Sequence, residues 1–156
     1  KHYKKNGISC VIKHIPGHGL AKLDSHHSLP IVNKSLKYLD KNDFKAFRKK
    51  DVIFAMTSHV IFNSIDRKNT STHSKKIINI IRNKLNFKNI LITDDISMKA
   101  LRYSIKQNTI RSFDAGCNIA LHCNGKLSEM LEVAKNSPKL NSFLMKKTKE
   151  FYKLVS

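Results

Sequence analysis

The sequence predicts an α/β fold of about four β/α units, equivalent to half of a (β/α)8 barrel, and three observations carry that prediction. Four short apolar runs are continuous rather than alternating, as in parallel strands buried on both faces. Amphipathic helical stretches separate them. Polar, chemistry-bearing residues collect where the runs end, which is where such a barrel keeps its active site. A whole barrel takes about 250 residues, and this chain has 156.

The first run, Ser9 to His14 (SCVIKH), ends on Lys13 and His14 and opens into a loop with two glycines. The helix after it is read from Leu36, Leu39, Phe44 and Phe47. The second run, Val52 to Ser58 (VIFAMTS), is followed by His59; its helix carries Ile77, Ile78, Ile81 and Leu85 behind a Ser74 cap. The third, Asn89 to Thr93 (NILIT), is followed by Asp94 and Asp95, then by a helix with Ile110 and Phe113 after Thr109. The fourth, Asn118 to His122 (NIALH), is followed by Asn124, and a last helix runs from Leu140 through Phe143, Leu144 and Phe151 to Leu154. The runs recur at intervals of roughly 30 to 40 residues, the length of a βαβ unit.

Composition narrows the function. A hydrophobic fraction of 40% excludes a disordered chain, and the length suits a single domain, residues 1–156. The net charge of +19 would fit a polyanionic partner. Against that, arginine occurs only at 48, 67, 82, 102 and 111 while lysine is scattered, so no arginine-rich, aromatic-studded patch is visible and no nucleic-acid partner is expected. Three cysteines without a CxxC pair suit free, buried thiols in a reducing cytoplasm. No apolar run approaches the roughly 20 residues that span a bilayer, so no membrane association is expected.

Residues 13–30, KHIPGHGLAKLDSHHSLP, hold His14, His18, His26 and His27. Imidazoles so clustered serve proton transfer or metal binding. Pro16 and Gly17 break any helix that would align His14 with His18, and there is no HExxH, so no metal site is expected. His18 reads equally as a turn residue and His27 as a solvated loop residue. In Asp24-Ser25-His26, a carboxylate stands two residues before an imidazole, where it can fix the tautomer and stabilise the protonated ring. Asp95, ahead of ISMKAL, reads as a backbone cap.

Read in order, KHIPGHG, DSHHSLP, MTSHV, NFKNILITDDISM and DAGCNIALHCN resemble the motifs of the β-N-acetylglucosaminidases of glycoside hydrolase family 3, over about residues 8 to 125. Ile15, Asn89 and Asn118 stand where that family usually has Phe, Gly and Asp. The resemblance implies the C-terminal half of a TIM-like catalytic barrel, with the N-terminal half and its sugar-contacting Asp and Arg lying before Lys1. It implies Asp94 as nucleophile, His26 as acid/base catalyst partnered by Asp24, and Lys13 and His14 as substrate contacts. The loop from Pro16 to Pro30 would be a mobile flap. The implied activity is retaining hydrolysis of terminal N-acetylglucosamine from peptidoglycan fragments, in the cytoplasm and without a cofactor. Two other readings stay open: an inactive fragment or split-gene subunit that needs a partner half-barrel, and a basic nucleic-acid binder.

Overall fold

The computed structural model describes every residue except Lys1 and His26, and of Lys4 the backbone alone. Four strands form one sheet in the order β1 (Val11–Ile15), β3 (Phe54–Thr57), β5 (Ile90–Asp95) and β6 (Ile119–Leu121). All neighbours are parallel, so every strand ends on the same side. Two further short strands, β2 (Ile31–Val32) and β4 (Ile61–Phe62), pair in parallel on their own. The expected α/β class and four parallel strands are therefore present.

The register sorts side chains onto two faces, because a strand alternates sides with period two. Ile12, Ala55 and Leu91 share one row, and Ala55 and Leu91 are fully buried. This face packs on the core of Leu39, Phe44, Phe62, Ile77, Ile81 and Phe87. Phe44 and Phe62 meet edge to face at 5.3 Å. The opposite row, Lys13, Met56 and Ile92, belongs to the less buried face, which at the sheet's edges leaves Val11 42% and Ile119 36% exposed.

The helices follow local signals. After the short α1 (His2–Lys5), α2 (Leu36–Lys41) is capped by Ser35, whose side chain accepts from the Tyr38 N–H. The single helix expected through Phe47 is instead broken at Asn42, whose amide donates to the Tyr38 carbonyl (2.8 Å) and ends the helix. Phe44–Phe47 then form a separate 3-10 turn. Ser74 caps α3 (Lys75–Asn79) as expected, and the helix widens into a π turn over Ile80–Lys84. α4 (Ile105–Ala115) begins earlier than its apolar pattern suggested, because Ser104 is the cap; Thr109 lies inside the helix and bonds back to the Ile105 carbonyl (2.8 Å). Gly116 ends it at φ 113, a left-handed conformation that suits glycine. α5 (Leu127–Asn136) was not foreseen. α6 (Ser142–Val155) has Asn141 as cap and packs Phe151 on Phe54, at the N-terminal end of β3 (5.3 Å). None of these helices is long and apolar enough to cross a membrane. All three cysteines are free, but only Cys117 is buried; Cys10 is half-buried and Cys123 exposed, at the ends of strands where packing is thin.

Arg82 clamps this framework. Its guanidinium donates to the carbonyls of Phe87 and Asn89 and to Asn118 Oδ1 (2.7 Å), which also accepts from the Leu91 N–H (2.9 Å). A neutral amide oxygen thus suffices at Asn118 for this contact. Arg82→Ala should destabilise the fold by about 2–3 kcal/mol, since partly buried carbonyls lose a charged donor. A urea denaturation midpoint measures this, and an unchanged midpoint would remove the clamp's importance.

Candidate active site

The C-terminal ends of β1 and β5 bring His14 and Asp94 within contact, with Lys13 next to His14 on β1. β5 runs two residues further than its apolar run, so Asp94 and Asp95 are its last residues rather than a following loop. The β5–β6 register shifts between Ile92 and Asp95, so the alternation of faces along β5 is interrupted where Asp94 stands. The β1–β3 register shifts between Lys13 and Ile15, and the Lys13–His14 and Ile15–Pro16 peptides there are cis. A shift of this kind re-aims side chains. His14 Nε2 lies 3.4 Å from Asp94 Oδ2, and the Asp94 side chain keeps 14% of its surface exposed. Its Oδ1 accepts from the Asp95 N–H (2.9 Å).

Asp95 does other work. Its carboxylate accepts from the backbone N–H and hydroxyl of Ser97 and from the Cys123 N–H (3.2 Å), so it ties the end of β5 to the turn after it and to the segment after β6. The capping role expected of it is therefore present, although the segment it caps is a turn rather than a helix.

His59 supports the same strand end from behind. It is fully buried, its Nε2 bonds to the Asp95 carbonyl (2.9 Å) and its Nδ1 to Thr72 Oγ1 (2.8 Å). A carbonyl can only accept, so the bond to the Asp95 carbonyl assigns a ring proton to Nε2. Burial pushes the His59 pKa down, against the Asp95 carbonyl and the charges of Asp94 and Asp95. His73 is likewise held neutral, pushed down to about 4 by burial, by the nearby His59 ring, which would compete with it for a proton, and by the Arg111 guanidinium. In the unfolded chain these rings take up protons near pH 6.5. Stability contributed by the neutral rings is full above pH 6.5 and is lost as pH falls toward 4; His73 alone accounts for about 3 kcal/mol. Denaturation midpoints across that window should fall with pH, and less steeply in His73→Gln.

The loop after β1 is anchored by a residue that the motifs did not single out. Asp43 accepts from the backbone N–H groups of Leu20 and Gly19. A Cβ on Gly17 would stand 2.5 Å from Asp43 Oδ2, so only glycine permits this approach. Burial raises the Asp43 pKa, while those N–H groups and His18 pull it down. Asp43 is far from the loop in sequence and lies in no motif, so only the fold reveals it. His18 is a half-buried neighbour of His14, with ring centroids 5.6 Å apart, and its Nε2 reaches Ser25 Oγ at 3.4 Å. His27 is exposed, as its loop reading implied.

Asp24 is exposed in the same loop, and its carbonyl accepts from the N–H groups of His27 and Ser28. His26, the expected acid/base catalyst, lies outside the described residues. His122 does not join the cluster at the strand ends: it bonds Glu129 on α5 (2.9 Å). That contact and Asn124 hold the Glu129 carboxyl down to about 2. Among the described residues, no group of three or more His, Cys, Asp or Glu side chains is placed to hold a metal ion.

Comparisons with known proteins point one way. Residues 1–150 match the family described as "Glycosyl hydrolase family 3 N terminal domain". The chain is 31% identical over 135 residues to a beta-hexosaminidase of Methylobacillus flagellatus, covering 82% of this chain and 39% of that protein. It is 33% identical over 129 residues to the beta-hexosaminidase of Neisseria meningitidis serogroup C, covering 80% and 36%. Among solved structures, NagZ from Neisseria gonorrhoeae in complex with N-trifluoroacetyl-D-glucosamine superposes with a TM-score of 0.80 at 29% identity, over 93% of this chain and 42% of that one. CbsA from Thermotoga neapolitana gives 0.77 at 32% identity, over 98% and 36%. The chain thus spans less than half the length of the relatives it matches.

Proposed function

This chain belongs to glycosyl hydrolase family 3, and from that premise we propose that it carries the catalytic side of a retaining β-N-acetylhexosaminidase. The observation that carries the reading is Asp94: a carboxylate at the C-terminal end of a parallel strand, fixed through one oxygen by a backbone N–H and set with the other 3.4 Å from His14. The beta-hexosaminidase names of the relatives and the N-trifluoroacetyl-D-glucosamine in complex with NagZ from Neisseria gonorrhoeae favour an N-acetylglucosamine-bearing substrate. Terminal N-acetylglucosamine on peptidoglycan fragments, in the cytoplasm, is the substrate and place we assign.

Each step uses residues of this chain. An Asp94 oxygen bonds to the anomeric carbon as the glycosidic C–O bond breaks, and His26 gives its proton to the leaving oxygen. Water then attacks the same carbon, His26 takes the water's proton, and the sugar leaves the Asp94 carboxylate. Asp24 raises the His26 pKa so that a proton is available for the first step. Lys13 and His14 hold sugar hydroxyls. Asp43 fixes the base of the loop on which Asp24 and His26 ride. No step calls on a metal or organic cofactor.

We further propose that the four-stranded sheet is half of a closed barrel. Its outer strands β1 and β6 each have an unpaired edge among the described residues, and exposed parallel edges invite pairing. A half-barrel that supplies the other strands is the partner we assign. The test is hydrolysis of a chromogenic N-acetylglucosaminide by the 156-residue chain alone and co-expressed with the first four β/α units of a relative. Activity and a monodisperse state should appear together in the co-expressed form only. A monomeric 156-residue chain turning over at about 1 to 1000 per second would contradict the half-barrel, and no activity in either form would favour a structural subunit.

A further inference from the structure

The loop after β4 and the turn after β5 enclose a separate cavity of about 280 Å³, whose wall includes none of Lys13, His14 or Asp94. Its rim carries Arg67, Lys68 and Arg102, and no carboxylate lines it. Arg111 stands behind this wall, stacked 4.2 Å over the Tyr103 ring and donating to Asn69 Oδ1 (2.7 Å). The nearby Asp66 carboxylate is occupied by the backbone N–H groups of Lys68 and Asn69, the Asn69 amide and the Ser74 hydroxyl.

Two buried polar groups line the cavity without a hydrogen-bond partner among the described residues. Thr70 is 5% exposed and its Oγ1 is unpaired; His73 is 8% exposed and its Nε2 is unpaired. The His73 ring bonds to the Asn108 carbonyl. Its other nitrogen must make that bond, which assigns the proton to Nδ1 and leaves Nε2 as an acceptor. Buried polar groups left unpaired are costly, so a wall with two of them suits a ligand that bonds to them. Cations at the mouth and an acceptor within define opposite ends of that ligand.

We propose that this cavity is a second binding site, for a small anion that also carries hydroxyl groups: a sugar acid or sugar phosphate of about one ring. The anionic group meets Arg67, Lys68 and Arg102, and a hydroxyl donates to His73 Nε2 beside Thr70. The volume lies just under the range of about 300–1,000 Å³ that holds drug-sized ligands, which limits the ligand to a single ring.

Calorimetric titration tests this on the full chain, or on the co-expressed assembly if the sheet edges must first be closed. The probes are glucose 6-phosphate, glucuronate, glucose and inorganic phosphate. At least one sugar anion should bind at least tenfold more tightly than glucose and than inorganic phosphate, and which of the two binds identifies phosphate or carboxylate as the group recognised. Arg67→Ala/Arg102→Ala, on exposed side chains, should weaken that binding at least tenfold, and Thr70→Val should weaken it severalfold. Glucose or inorganic phosphate binding as tightly as the sugar anions would overturn the proposal. So would undiminished affinity in the double variant, or no binding at ~10 mM, weaker than millimolar affinity. The readout is binding rather than turnover and the wall shares no residue with the Asp94 cluster, so the hexosaminidase reading and this one fail separately.

Discussion

Asp94→Ala is expected to lower kcat/KM on an aryl N-acetylglucosaminide by on the order of 10⁴-fold or more, because the carboxylate that captures the anomeric carbon is gone and water has no equivalent route. The fold should survive, since among the described residues Asp94 makes one backbone bond and one imidazole contact at the end of the sheet. Asp95 provides the contrast. Its carboxylate holds Ser97 and Cys123 rather than facing the Asp94–His14 pair, so Asp95→Asn should lower the denaturation midpoint more than it alters chemistry in the protein that remains folded. Steady-state kinetics with parallel melts separate the two. Equal kinetic losses without a stability difference would reverse the assignment.

The second large effect is expected at His26. His26→Ala should cost about 10²–10⁴-fold on a natural disaccharide, whose leaving oxygen needs a proton. A substrate with a nitrophenolate leaving group departs without one, so its first step should suffer far less. Asp24→Asn should give an intermediate loss. It should also move the alkaline limb of the pH profile to lower pH, since the imidazole loses the anion that favours its protonated form. Comparable losses on both substrates would exclude His26 as the acid.

The four strands of the main sheet were legible in the sequence, because buried parallel strands are continuous apolar runs, and Lys13, His14, Asp94 and Asp95 stand near their C-terminal ends as read. What the sequence left obscure depends on contacts between distant segments. Asp43 touches the loop of Gly17 and Gly19 only after the chain has folded back, and nothing local distinguishes it from any aspartate ahead of a helical turn. Arg82 and Asn118 meet across 36 residues. The two-residue strands β2 and β4 are too short to carry a periodic signal. α5 buries none of its residues fully, so its apolar face was weak evidence of packing. His122 misled for the opposite reason: a histidine at a strand end has the look of site chemistry, yet its ring is bonded to Glu129 on the neighbouring helix.

The most direct measurement traps the covalent intermediate. A 5-fluoro N-acetylglucosaminyl fluoride slows departure of the sugar from the enzyme, and peptide mapping by mass spectrometry then locates the ester. In the assembly that hydrolyses the chromogenic substrate, one sugar should be found on the peptide containing residues 89–98, with fragmentation placing it on Asp94. A label on Asp95, or turnover of the fluorosugar's parent substrate with no labelled residue at all, would contradict a nucleophilic Asp94.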